Sequence, residues 1–295
     1  MTKHFTSGFI AAFLLAIVFC ACTSQQKIIS TKKEIETKDN ELQQHNKALQ
    51  EIEAQLRKKQ ERNEIDDSSI RRIRKFIGIS QSELEKLEAQ NAILTGKKTV
   101  DRSDWPNLKK NLQLTERLSK IMADKVEMIS DLIHRNLVVK IDQDVIFEPG
   151  QFHVTPSLAT ALSKVFEPAA AEIDRFIKKY PDFPITVIVN ANGYADATSI
   201  AEGTTLYKDL KSRLKTDASG NKELNKELSR LRAEEVMALF KKFFDNRFPP
   251  EKNITTILYT YEGKGEALPN PKMSDYKTDD SRRRVVLLYW SVFPE

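Results

Sequence analysis

Apolar residues return at helical intervals through the first third of the chain. Ile28, Ile35, Leu42, Leu49 and Leu56 recur every seven residues, and Ile52 is the one apolar residue at the intervening positions. That seam is thin for a coiled coil. A fuller one follows, in which Ile70, Ile73, Ile77, Ser80, Leu84, Leu87, Asn91 and Leu94 alternate by three and four. Buried, Asn91 would fix the register of this seam; at a frayed end it would be solvated. Between Gln25 and Leu94 there is no proline and a single glycine, Gly78, and good helix formers dominate. A continuous helix over that stretch would reach about 100 Å. The pattern predicts a long helical coiled-coil stalk over 22–96, with a seam that would pair copies of the chain into a homo-oligomer of undecided order.

The period breaks over Thr95–Ser103, and Asp104-Trp105-Pro106 reads as a new helix start with proline in the first turn. Leu114, Leu118, Ile121, Met128 and Leu132 predict the buried stripe of that second helix, up to Arg135. Residues 97–136 are therefore read as a linker and second helical segment. Whether the chain folds back at Thr95–Ser103 or runs on stays open. After Leu137 the period shortens. Strands are predicted over Val138–Phe147, Pro184–Asn192, Ile254–Tyr261 and Arg284–Val292, and helices over Leu158–Lys179 and Leu224–Phe248. The alternation predicts an α+β domain over 137–295, an α/β sandwich in which helices cover a small sheet.

Composition sharpens the division. All 11 prolines lie at or after Pro106, and most of the aromatic residues follow Leu137, so the compact core belongs to the C-terminal half. The net charge of +5 is spread over the whole chain with no concentrated basic face, which gives no case for nucleic acid. The two cysteines, Cys20 and Cys22, close an apolar run that starts at Phe9 and follows Lys3. That run is shorter than the roughly 20 residues a spanning helix needs, and it suits the core of a signal peptide. Beyond Cys22 no thiolate metal site or cysteine nucleophile can form, and His153 is the only histidine of the C-terminal half. Hydrolysis would need a carboxylate pair, a metal or a nucleophile with its base. The expectation is a binding module with no metal and no cofactor.

Several blocks carry resemblances. Phe19-Cys20-Ala21-Cys22 resembles a bacterial lipobox, with Phe19 where leucine is usual, which implies a lipoprotein signal peptide over 1–21 and lipidation at Cys22. Thr23 after it resembles an outer-membrane address, so the resemblance implies a lipid-anchored protein of the outer membrane facing the periplasm. Gly193-Tyr-Ala-Asp196, the run Asn225-Lys-Glu-Leu-Ser-Arg-Leu-Arg-Ala233, Gly263-Lys-Gly-Glu-Ala-Leu-Pro269, Arg283-Arg284-Val285 and Val145-Ile-Phe147 resemble, in order, blocks of the OmpA-like peptidoglycan-binding domains.

That resemblance implies that Asp196 and Arg232 contact the diaminopimelate of the stem peptide, and that Asn225 and Leu228 shape the same pocket. The chemistry agrees, because an Asp beside an Arg meets both charges of a zwitterion. One departure is clear: 28 residues, 197–224, stand between Asp196 and Asn225, where the family has a short turn. They are expected to form a polar surface excursion with a helical piece near Leu206–Leu214. The implied function is a non-catalytic lipoprotein that tethers a membrane to the wall. The alternatives are a stator similar to MotB, or an envelope or secretion assembly component that recruits a protein partner through the stalk.

Overall fold

A computed structural model describes residues 6–97, 103–135, 137–148, 150–214, 220–248 and 251–294, with side chains from residue 26 onward. The expectations for the signal peptide and for lipidation at Cys22 lie outside the described side chains. The chain divides into two compact units, one of residues 1–53 with 74–127, the other of 54–73 with 128–295. Among the described residues no helix is long and apolar enough to cross a membrane.

The first unit is helical. It contains most of α1 (Thr6–Glu61), α2 (Asp67–Thr95) and α3 (Trp105–His134). The continuous helix that the composition permits is not formed. α1 stops at Glu61, where Asn63 takes a positive φ of 56°, and α2 restarts at Asp67, so the chain reverses there. α2 is antiparallel to α1: Lys32 donates to the Thr95 carbonyl at 2.9 Å, and Gln81 donates to Asn46 at 3.3 Å. Its 29 residues extend about 44 Å, less than half the reach of the single helix.

Both heptad seams are consumed inside this one chain. Ile35, Leu42 and Leu49 have no exposed surface, and Ile28 and Ile35 cluster with Leu108 and Leu112 of α3. Each such aliphatic side chain contributes about 1.5–3 kcal/mol by leaving water. Asn91 is fully buried and held from both neighbours: it donates to Asp39 at 2.5 Å and accepts from Asn111 at 2.6 Å and from Thr115 at 3.1 Å.

The stripe expected on α3 is corrected by that network. Thr115 and Ser119 face inward to meet Asn91, Glu41 and His45, which rotates the helix so that its buried line runs through Leu108, Leu112, Met122 and Val126. Leu118 and Ile121, expected inside, are exposed.

In the second unit a four-stranded sheet carries β1 (Val138–Asp142), β2 (Ile185–Gly193), β3 (Ile254–Gly263) and β4 (Val285–Pro294) in the order β1-β4-β2-β3. β4 is antiparallel to both neighbours and β2 is parallel to β3. Between the strands lie the short α4 (Gln143–Ile146), α5 (Pro156–Lys179), α6 (Thr205–Arg213) and α7 (Asn221–Arg247). The strand predicted to continue to Phe147 ends at Asp142. There the Asp142 carboxylate accepts from the Asp144 amide at 3.1 Å and caps α4 instead.

β4 is buried along both faces, from Val285 to Phe293. Tyr289, Ser291 and Phe293 on one face meet the α1–α2 turn: Tyr289 donates to the Asn63 carbonyl at 3.3 Å, Ser291 bonds Ser69 at 2.8 Å, and Arg72 lies over the Phe293 ring. Residues 54–73, sequence-assigned to the stalk, thus belong to the C-terminal core, as do Met128, Ile129, Leu132 and Ile133 of α3.

α7 lies close to the ends of β2 and β3, and glycine makes that approach possible. A Cβ on Gly193 would fall 2.0 Å from the Ser229 carbonyl oxygen, and one on Gly263 would fall 2.3 Å from that of Lys226. The two glycines of the motif blocks therefore set the distance between helix and sheet at the rim where Asp196 and Arg232 stand.

Candidate functional site

The site is built where β2 ends, β4 begins and α7 passes beside them. Four residues expected from the sequence, Asp196, Asn225, Leu228 and Arg232, line one cleft of about 590 Å³, and Arg284 and Asp144 join them there. Asp196 and Arg232, expected to meet one ligand, are not paired with each other. Asp196 makes its ion pair with Arg284, Nη1 to Oδ2 at 2.5 Å, while its other oxygen accepts from the Thr198 amide at 3.1 Å. Arg284 also grips Asp144 with two parallel bonds of 2.7 and 2.6 Å, the bidentate geometry that suits a guanidinium. Arg284 was legible only as part of the block opening the last strand.

Among the described residues Arg232 has no carboxylate within hydrogen-bonding distance. It is 8 % exposed. Its Nε donates to the Gln151 carbonyl at 3.1 Å, its Nη1 donates to Gln143 Oε1 at 2.7 Å, and its guanidinium lies 5.1 Å from the Phe147 ring centroid. Every one of these partners is neutral. Burial pulls the guanidinium down to about 10, aided by repulsion from Arg284 and opposed by Asp144 and Asp196. At neutral pH it stays charged, so the cleft holds a buried cation whose nearest carboxylates are both bound to Arg284.

Gln143 is what places it. This side chain is 1 % exposed, and its amide donates to the Tyr194 carbonyl at 2.9 Å and to the Val285 carbonyl at 3.0 Å while its oxygen takes Arg232. One amide thereby ties α7 to the end of β2 and the start of β4. Sequence reasoning missed Gln143 and Asp144. Their signal was the polar trio Asp142-Gln143-Asp144, which interrupts an otherwise apolar run.

Asn225 and Leu228 have structural contacts within the wall. Asn225 donates to the Thr198 carbonyl at 3.2 Å and to Glu266 at 2.9 Å, and Leu228 packs with Phe152, Leu210, Leu224 and Leu231. Arg283, beside Arg284, turns away from the cleft and donates to the Glu266 carbonyl at 2.6 Å. Among the described residues no three His, Cys, Asp or Glu side chains group as metal ligands.

No family model matches the chain. No curated protein matches it either. Among solved structures, a MotB-like protein from Desulfovibrio vulgaris aligns at 20 % identity over 54 % of this chain and 75 % of that one, with a TM-score of 0.27. At that score the likeness does not define a fold.

Proposed function

We propose that the second unit binds the stem peptide of peptidoglycan, without cleaving it, through the zwitterionic centre of diaminopimelate. The observation that carries this reading is Arg232, a buried guanidinium with only neutral partners on the wall of a cleft that also presents Asp196. A buried charge without a counter-charge is costly, and an incoming carboxylate would supply one. The ammonium of the same ligand would be met by Asp196, in competition with Arg284. Joined to the lipobox-like Cys22, the reading is of an outer-membrane lipoprotein facing the periplasm that holds its membrane to the wall.

Pull-down on purified sacculi tests it. Arg232→Ala and Asp196→Ala should each abolish retention, and binding preserved in both variants would remove the assignment. Incubated with sacculi, the protein should release no soluble muropeptides.

A second reading concerns the helical unit. Ile29, Ile79, Ile93, Leu118 and Ile121 are all exposed on a bundle that has spent its heptad seams on itself. This favours recruitment of an envelope protein over simple reach. Replacing residues 25–53 and 74–127 by a neutral helical bundle of equal length should then leave sacculus binding intact and abolish function in cells.

A further inference from the structure

The first residues of the excursion between Asp196 and Asn225 are part of the cleft wall. Thr198, Ser199, Ile200, Ala201, Thr204 and Leu206 all line the cavity. Its first residues are pinned by two asparagines one helical turn apart on α7: Asn221 accepts from the Ile200 amide at 2.9 Å, and Asn221 and Asn225 both donate to the Thr198 carbonyl, at 3.3 and 3.2 Å. The helix that follows is docked by its own apolar side. Leu210 of α6 has no exposed surface and clusters with Leu224, Leu228 and Leu231, while Ile200, Leu206 and Tyr207 pack against the same cluster.

Two groups of side chains therefore share the cleft. Asp196, Arg284, Asp144 and Arg232 form the charged one. Ile200 and Leu206, packed against the cluster that contains Leu228, form the apolar one, and five of the six residues that the excursion contributes to the lining have a methyl group or an aliphatic chain. A volume near 590 Å³ falls in the range that takes a whole small molecule, larger than one charged head group requires. Leu228 is 7 % exposed and Leu210 is fully covered, whereas Ile200 and Leu206 are each partly exposed, so the apolar surface open to a ligand on this wall belongs to those two.

We infer that residues 198–206 are a specificity wall, in which Ile200 and Leu206 receive the methyl group of the alanine that follows the zwitterionic residue in the ligand. This inference rests on the reading of the cleft as a stem-peptide site. It assigns a task to the segment by which this chain departs from the OmpA-like pattern: stems that carry alanine are told apart from stems that end at diaminopimelate.

Titration calorimetry of the full chain with two soluble muropeptides tests it, one with a tripeptide stem ending at diaminopimelate and one with a tetrapeptide stem. Burial of one methyl group corresponds to about fourfold in affinity, and the tetrapeptide should bind tighter by that factor. Ile200→Ala and Leu206→Ala should bring the ratio close to one, and a circular dichroism spectrum and thermal midpoint matching those of the native chain show that both variants fold. Equal affinities in the native chain, a ratio preserved in both variants, or equal loss of both ligands in both variants would each overturn the wall. Failure of the underlying site looks different: neither muropeptide binds, or Arg232→Ala binds both as well as the native chain, and the wall falls with it.

Discussion

Asp196 and Arg284 form the ion pair of the cleft, Oδ2 to Nη1 at 2.5 Å, although they stand 88 residues apart and on different strand ends. The same guanidinium holds Asp144, so one arginine restrains two carboxylates. Replacing it by methionine keeps the aliphatic stem and leaves Asp196, which is 7 % exposed, without its counter-charge. Arg284→Met should lower stability by about 2 kcal/mol, since hydrogen bonds to charged groups are each worth roughly 1.5–3 kcal/mol and this site is partly open to water. Urea denaturation measures it; a midpoint within error of the native chain would show that the pair is idle.

Gln143 should act on binding through Arg232. Gln143→Met removes the acceptor of Nη1 and the donor to the Tyr194 and Val285 carbonyls, and should cost about 2 kcal/mol of stability. A double-mutant cycle with Arg232→Lys on tripeptide binding separates positioning from general support. Coupling of about 1 kcal/mol or more is expected for groups in one network, and strictly additive losses would place Gln143 outside the site.

The Arg232 guanidinium, pulled down to about 10, sets a pH window. The native chain releases this proton near pH 10, whereas an unfolded arginine keeps it to above pH 12. Between those limits the unfolded state binds more protons, so the Arg232 contribution to stability rises with pH. Carboxylate binding moves the opposite way, because the cation it needs is being lost. Sacculus retention should fall from pH 9 to pH 11 in the native chain, and undiminished retention at pH 11 would show that the Arg232 proton is kept over that range.

A fragment beginning at Leu137 should be insoluble or aggregate. It lacks residues 54–73, which cover the face of β4 that carries Tyr289, Ser291 and Phe293. Exposing that face leaves a contiguous apolar patch on the sheet. Supplying residues 54–73 and 128–136 through a short linker should restore a monomer, measured by light scattering; a soluble monomeric Leu137 fragment would contradict this role of the turn.

How much of this was legible depends on the kind of signal each residue leaves. The heptads of Ile28 to Leu56 and Ile70 to Leu94 stated correctly which side chains leave water, and the structure buries nearly all of them. They could not state what covers them, because a helical stripe is equally satisfied by another chain or by the next helix of its own. The reversal at 62–66 leaves little trace in sequence: it has no glycine or proline, and Asn63 alone takes the left-handed conformation. Likewise Val285 to Phe293 reads as a strand covered on both faces, yet nothing in it names Ser69 or Asn63 as the cover. In the cleft, Asp196 and Arg232 were singled out through their motif blocks, but the bonds of Asp196 to Arg284 and of Arg232 to Gln143 are a property of three-dimensional packing. Thr115 and Ser119 misled the α3 stripe for a related reason, since a polar residue turned inward to meet Asn91 looks like a surface residue until its partner is known.

The contact between Ser69 and Ser291 has a mechanical meaning. Arg284 immediately precedes the strand that carries Ser291, seven residues or about 23 Å along the chain. A load applied to the second unit at Ser69 would reach the cleft at Arg284 along the covalent backbone of β4. That strand is hydrogen-bonded on both sides, so a load parallel to it is resisted in shear by many bonds at once, and none need open in sequence as they would if an edge were peeled.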